Sequence, residues 1–165
     1  LKDYSGILYA GLMLTPAGPK VVEYNVRFGD PETQVILPRL KTDLLDVFMD
    51  IAEHRLASRH VEWSTDVTAT VVLVASGYPG KVENGKRIDG LEEANRLEGV
   101  RVYHAGTRKQ DGKIYTSGGR ILNVTGRGST LSQALLRAYA AAEVITFDGK
   151  DYRRDIGKKG LAKER

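Results

Sequence analysis

The chain has 165 residues, a formal charge of +4 and 41% hydrophobic residues, enough for one ordinary domain or for one domain and part of another. It contains no cysteine, which excludes disulfides, thiolate catalysis and zinc–sulfur sites. No apolar stretch approaches the roughly 18 residues that cross a bilayer and no charged-then-apolar leader opens the chain, so a cytoplasmic protein without a membrane partner is expected.

Leu1 stands where a natural start would carry methionine, and an apolar strand is running by Ile7, so further chain is expected upstream. Residues 6–14, apolar almost throughout, read as a buried strand, and residues 15–19, with two prolines and a glycine, as a turn. Residues 20–25 return as the second strand of a hairpin. Gly29 and Pro31 break pairing, which makes residues 28–33 a loop. Asp43 is placed to cap a helix from Leu44. Leu44, Val47, Phe48, Ile51 and Arg55 fall on one stripe, with Asp46, Asp50 and Glu53 outside it.

The polar stretch 58–66 reads as a boundary that Trp63 seals, giving a first part over residues 1–61 and a second over 62–165. Beyond it, the β-branched run Thr68–Ala75 predicts a central strand. Gly77-Tyr78-Pro79-Gly80 is a sharp turn, 90–97 a short helix and 100–104 a strand. Residues 110–113 form a hairpin turn before a strand at 114–116. Residues 117–120 interrupt, and 121–125 resume as strand. Ser129 or Thr130 caps a helix in which Leu131, Ala134, Leu135, Ala138, Ala142 and Ile145 recur three and four apart. The second part is therefore an α+β module with a covering helix. The first part, a hairpin, a loop and a helix, buries too little to stand alone.

Basic residues gather at the end, in Arg153, Arg154, Lys158, Lys159, Lys163 and Arg165. Tyr152 is the one aromatic beside them, so a solvated tail is expected and nucleic acid is not expected as a partner.

The run Glu23-Tyr24-Asn25-Val26-Arg27-Phe28-Gly29-Asp30-Pro31-Glu32-Thr33 carries the chemistry. Strand alternation places Glu23, Asn25 and Arg27 on one face. A carboxylate and an amide oxygen suit Mg²⁺, which takes few protein ligands and completes its shell with water and phosphates. Arg27 offers a two-pronged donor for an anion beside it. The plainer readings are an exposed polar strand face and an Arg27–Asp30 pair. Gly118-Gly119-Arg120 reads either as a tight turn or as a backbone nest with a guanidinium for a phosphate. No P-loop or dinucleotide-binding glycine loop is present. His104 reads as a hydrogen-bonded structural residue, and His54 and His60 as surface residues.

The stretch Tyr9-Ala10-Gly11-Leu12-Met13-Leu14, then Gly18-Pro19-Lys20-Val21-Val22 through Glu32-Thr33-Gln34, closely resembles the glycinamide ribonucleotide synthetase (phosphoribosylamine–glycine ligase) family. Gly77-Tyr78-Pro79-Gly80, His104-Ala105-Gly106-Thr107, Gly118–Thr125 and Arg154-Asp155-Ile156-Gly157 follow in family order over nearly the whole chain. Tyr24 stands where phenylalanine is usual, and the tail is more basic than the family pattern. The resemblance implies the C-terminal part of an ATP-grasp domain, followed by a β-rich C-terminal domain of the biotin-carboxylase C-terminal kind. It implies ligation of glycine to 5-phosphoribosylamine with ATP as co-substrate, through a glycyl phosphate. Glu23 and Asn25 match the ligands of Mg²⁺ or Mn²⁺. Arg27 is expected to grip the glycine carboxylate, Gly29, Asp30 and Pro31 to shape the pocket, and Gly118, Gly119 and Arg120 to meet the ribose phosphate. The remaining ATP and substrate contacts would come from the N-terminal part of the same enzyme. The rival readings are another ATP-grasp ligase or carboxylase and a non-catalytic basic binding module.

Overall fold

The computed structural model describes residues 4–163, so Leu1 and Arg165 of the expectations above lie outside it. Two compact units divide at Ser64 and Thr65.

The first unit opens on a hairpin, β1 (Tyr9–Thr15) against β2 (Gly18–Asn25), antiparallel around the predicted turn. A β-bulge interrupts its ladder: Gly11 faces Glu23 but Leu12 faces Val21, leaving Val22 as the extra residue. The strand ends at Asn25, so alternation does not reach Arg27. After the loop come the single-turn helix α1 (Thr33–Ile36) and α2 (Leu44–Ala52). The Asp43 carboxylate accepts the Leu45 N–H at 2.8 Å, capping α2 as its position predicts. Phe28 leans on Phe48 with ring centroids 6.3 Å apart, which ties the loop to α2.

Asp50 was expected on the outer face of α2 and is buried instead. Arg59 and Arg55, from the turn after the helix, fold over it and bond both its oxygens. The Arg59 hydrogen bond is the main reason the Asp50 carboxyl titrates below the usual carboxylate range. Trp63 is half exposed and bridges to Leu40 within the first unit.

The second unit is built on an antiparallel sheet in the order β5–β8–β3–β9, with β3 Val67–Ala75, β5 Val100–His104, β8 Arg120–Gly128 and β9 Lys150–Asp151. Burial along β3 alternates, with Ala69, Val71, Leu73 and Ala75 inward, as a strand covered on one face by a helix requires. The cover is α4 (Leu131–Val144), whose Ala134, Ala138, Ala141 and Ala142 are buried. Small residues let helix and strand approach closely: a Cβ added at Gly126 would collide with the Ala134 carbonyl and the Ala138 nitrogen. Thr130 caps α4 through its hydroxyl to Gln133 N–H.

A smaller sheet, β4–β7–β6, holds β4 (Arg87–Ile88), β6 (Thr107–Gln110) and β7 (Lys113–Thr116). Asp111 and Gly112 both have positive φ, the geometry of the predicted two-residue hairpin turn. The helix α3 (Leu91–Arg96) lies beside β5, and α5 (Lys158–Leu161) follows near the end of the chain. Two arginines of the basic tail pair within the unit and stay largely exposed. Arg153 grips Asp155 through two nitrogens, and Arg154 lies over the Tyr152 ring and beside Glu143.

Candidate functional site: a hairpin face and its following loop

The bulge at Val22 decides which side chains share the face of β2 that carries Glu23 and Asn25. Below it, Gly11 stands opposite Glu23 and Tyr9 opposite Asn25. The two expected metal ligands converge, since the Asn25 amide donates to Glu23 Oε1 at 3.0 Å. Gly11 keeps the neighbouring position bare, where a Cβ would press on Glu23 Cγ at 3.1 Å. One carboxylate and one amide side by side are hard oxygen donors of the kind Mg²⁺ or Mn²⁺ selects. No group of three or more His, Asp or Glu suited to a metal occurs among the described residues. A cation at this pair would therefore complete its shell with phosphate oxygens and water.

The loop then folds on itself. Thr33 N–H and its hydroxyl both donate to the Gly29 carbonyl, and Val35 and Ile36 N–H donate to Glu32 O. Gly29 is buried in this turn. Asp30 accepts from the Gln34 amide at 2.9 Å, and the Asp30–Pro31 peptide is cis. Arg27, just past the strand end, spends one of its five donors on Phe28 O at 2.8 Å.

Tyr9 and Glu32 were given no role from the sequence, yet they meet here. The Tyr9 hydroxyl lies 3.4 Å from Glu32 Oε1. The Glu32 charge is the main reason the Tyr9 phenol titrates above its ordinary range, helped by burial and by the Glu23 carboxylate. Counting back from the turn would pair Tyr9 with Tyr24, on the other face. The bulge that corrects this leaves no mark in the sequence.

Gly118, Gly119 and Arg120 lie in the second unit, at the start of β8. Gly118 N–H donates to Asn84 Oδ1 at 2.7 Å, and Gly119 O accepts from Ala75 N–H at 2.9 Å. The Tyr78 ring lies against Gly119, where an added Cβ would clash, and Gly106 lies against Gly118, where one would sit 3.1 Å from the Gly106 Cα. His104 shares a hydrogen bond with Thr107 Oγ1 at 2.9 Å.

Comparison with known proteins agrees over both units. Residues 68–159 match the family described as phosphoribosylglycinamide synthetase, C domain, and residues 1–33 match its ATP-grasp (A) domain. A phosphoribosylamine–glycine ligase of Rhodopirellula baltica is 47% identical over 97% of this chain. The trifunctional purine biosynthetic protein adenosine-3 of Gallus gallus is 49% identical over 96% of it. The crystal structure of phosphoribosylamine–glycine ligase from Thermotoga maritima superposes with a TM-score of 0.76 at 39% identity, covering 90% of this chain and 36% of that one. The chain spans 37% of the length of the Rhodopirellula protein and 16% of the Gallus protein.

Proposed function

The chain belongs to the phosphoribosylglycinamide synthetase family, and from that premise we propose that it forms one wall of a glycine-activating ligase site, joining glycine to 5-phosphoribosylamine with ATP as co-substrate. The observation that carries the reading is the convergence of Glu23 and Asn25 on one hairpin face, ahead of a loop that opens with Arg27. Products would be ADP, phosphate and glycinamide ribonucleotide, and the compartment the cytoplasm.

Each side chain has a task that its chemistry suits. Glu23 and Asn25 would hold Mg²⁺ or Mn²⁺ against the ATP phosphates. The bound cation supplies charge neutralisation there. Arg27 grips the glycine carboxylate and steadies the charge that builds as it takes the phosphoryl group. Its guanidinium is already oriented by Phe28 O and keeps donors for a ligand. Gly29, Asp30 and Pro31 shape the floor of the pocket. Gly118, Gly119 and Arg120 would line the ribose phosphate, with Gly119 offering its backbone N–H and Arg120 its guanidinium, since the Gly118 N–H is taken by Asn84. The N-terminal part of the same enzyme would supply the remaining ATP and substrate contacts.

The test uses the segment within the full-length enzyme, reading ADP release that depends on both glycine and 5-phosphoribosylamine. Arg27→Ala should lower kcat/KM for glycine roughly 10- to 150-fold, the value of a charge-assisted contact of about 1.5–3 kcal/mol. Undiminished activity in that variant would remove Arg27 from the site.

A further inference from the structure

The loop between β2 and α1 carries opposite charges at its two ends, Arg27 and Glu32, and a free α-amino acid carries opposite charges on adjacent carbons. We infer that Glu32 holds the ammonium group of the small amino-acid substrate and that Tyr9 is its positioning residue. The inference rests on the reading of this site as amino-acid-activating.

Two observations place the Glu32 carboxylate and a third holds its main chain. Its Oε1 lies 3.4 Å from the Tyr9 hydroxyl, and the bulge-shifted register puts Tyr9 on the face of Glu23 and Asn25. The Glu32 side chain also folds back across the loop: a Cβ on residue 29 would run into its Oε2 and lie 2.9 Å from its Cδ. The bare Gly29 leaves room for this carboxylate to lie over the loop. The backbone carbonyl of Glu32 starts α1 by accepting from Val35 and Ile36, so the residue's main chain is held as well.

The charge balance points to a cationic ligand. Glu23 is engaged with Asn25, and Arg27 with Phe28 O. Glu32 is half-buried, and its one side-chain partner among the described residues is the neutral Tyr9 hydroxyl. A carboxylate held in shape and left without an internal cation is suited to a substrate cation. With Arg27 taking the substrate carboxylate at the start of the loop, Glu32 at its end is the complementary group for the ammonium.

The experiment measures steady-state kinetics of the full-length enzyme for Glu32→Gln, Glu32→Asp and Tyr9→Phe, with thermal unfolding alongside. Glu32→Gln should raise KM for glycine about 10- to 100-fold, with KM for Mg-ATP and for 5-phosphoribosylamine unchanged. Tyr9→Phe should raise it about 3- to 10-fold in the same selective way, and Glu32→Asp should recover part of the loss. An unchanged glycine KM in Glu32→Gln overturns the inference, as does a shift in Mg²⁺ or ATP requirement instead. Should Glu32→Gln fail to fold, Tyr9→Phe decides alone: an unchanged glycine KM overturns the inference. Absence of glycine-dependent ADP release from the unsubstituted enzyme would instead strike the functional reading itself.

Discussion

The two units of this chain divide labour unequally. Every buried apolar side chain among the described residues lies in the second unit, from Ala69 to Tyr152. The first unit buries Asp50 and Ser64, while Leu12, Leu14, Val22, Tyr24 and Val26 stand exposed on and beside its hairpin. The second unit is thus held by a core of its own, whereas the first is held by caps, turns and an ion-pair cluster. The first unit also carries the proposed metal and amino-acid groups. Chemistry placed on a segment with little core of its own needs local devices to hold its side chains, and the bulge, the Phe28–Phe48 contact and the Asp50 cluster are such devices.

Substitutions can separate the two modes of support. The largest loss should come from Leu73→Ala, which empties a fully buried position between β3 and α4. It is expected to cost about 2–5 kcal/mol in denaturant unfolding, with glycine KM of the folded fraction untouched. A loss below about 1 kcal/mol would mean that the core is not where the second unit's stability resides.

Asp50→Asn comes next and acts on the first unit. The folded-state pKa of Asp50 is depressed, so its stabilising contribution is fully present above the unfolded carboxylate value near 3.9. It fades as pH falls through the lower folded value. Wild type should therefore melt above Asp50→Asn at pH 7, and the gap should close on acidification below about pH 4. A gap independent of pH would show that packing and not charge holds α2 to Arg59.

The smallest effect is expected on the same helix that covers the core. Leu136 on α4 is 72% exposed, and Leu136→Gln should change unfolding free energy by no more than about 0.5 kcal/mol. A larger loss would reveal packing on that face.

What could be read in advance follows the same division. The second unit announces itself through period: the β-branched run of β3 and the three-and-four spacing of α4 are repeated signals over many residues. The two-residue strands β4 and β9 are too short to carry any period, and tertiary pairing alone defines them. In the first unit the residue types of the site were legible, because Glu23 and Asn25 lie two apart on a strand. Its geometry was less so. Alternation extended to Arg27 overruns a strand that ends at Asn25. Asp50 reads as surface until Arg59, nine residues later, covers it. Tyr9 falls on the wrong face of any ladder counted from the turn.

That last point has a consequence for length. Because Val22 is unpaired, with Gly11–Glu23 on one side of it and Leu12–Val21 on the other, the hairpin carries one residue of slack. Removing Val22 would shorten the chain while every cross-strand partner stayed the same. Removing a residue of β1 would instead slip the register and turn a whole strand face over. The ladder therefore tolerates a deletion at one position in this otherwise rigid count, and that position adjoins Glu23.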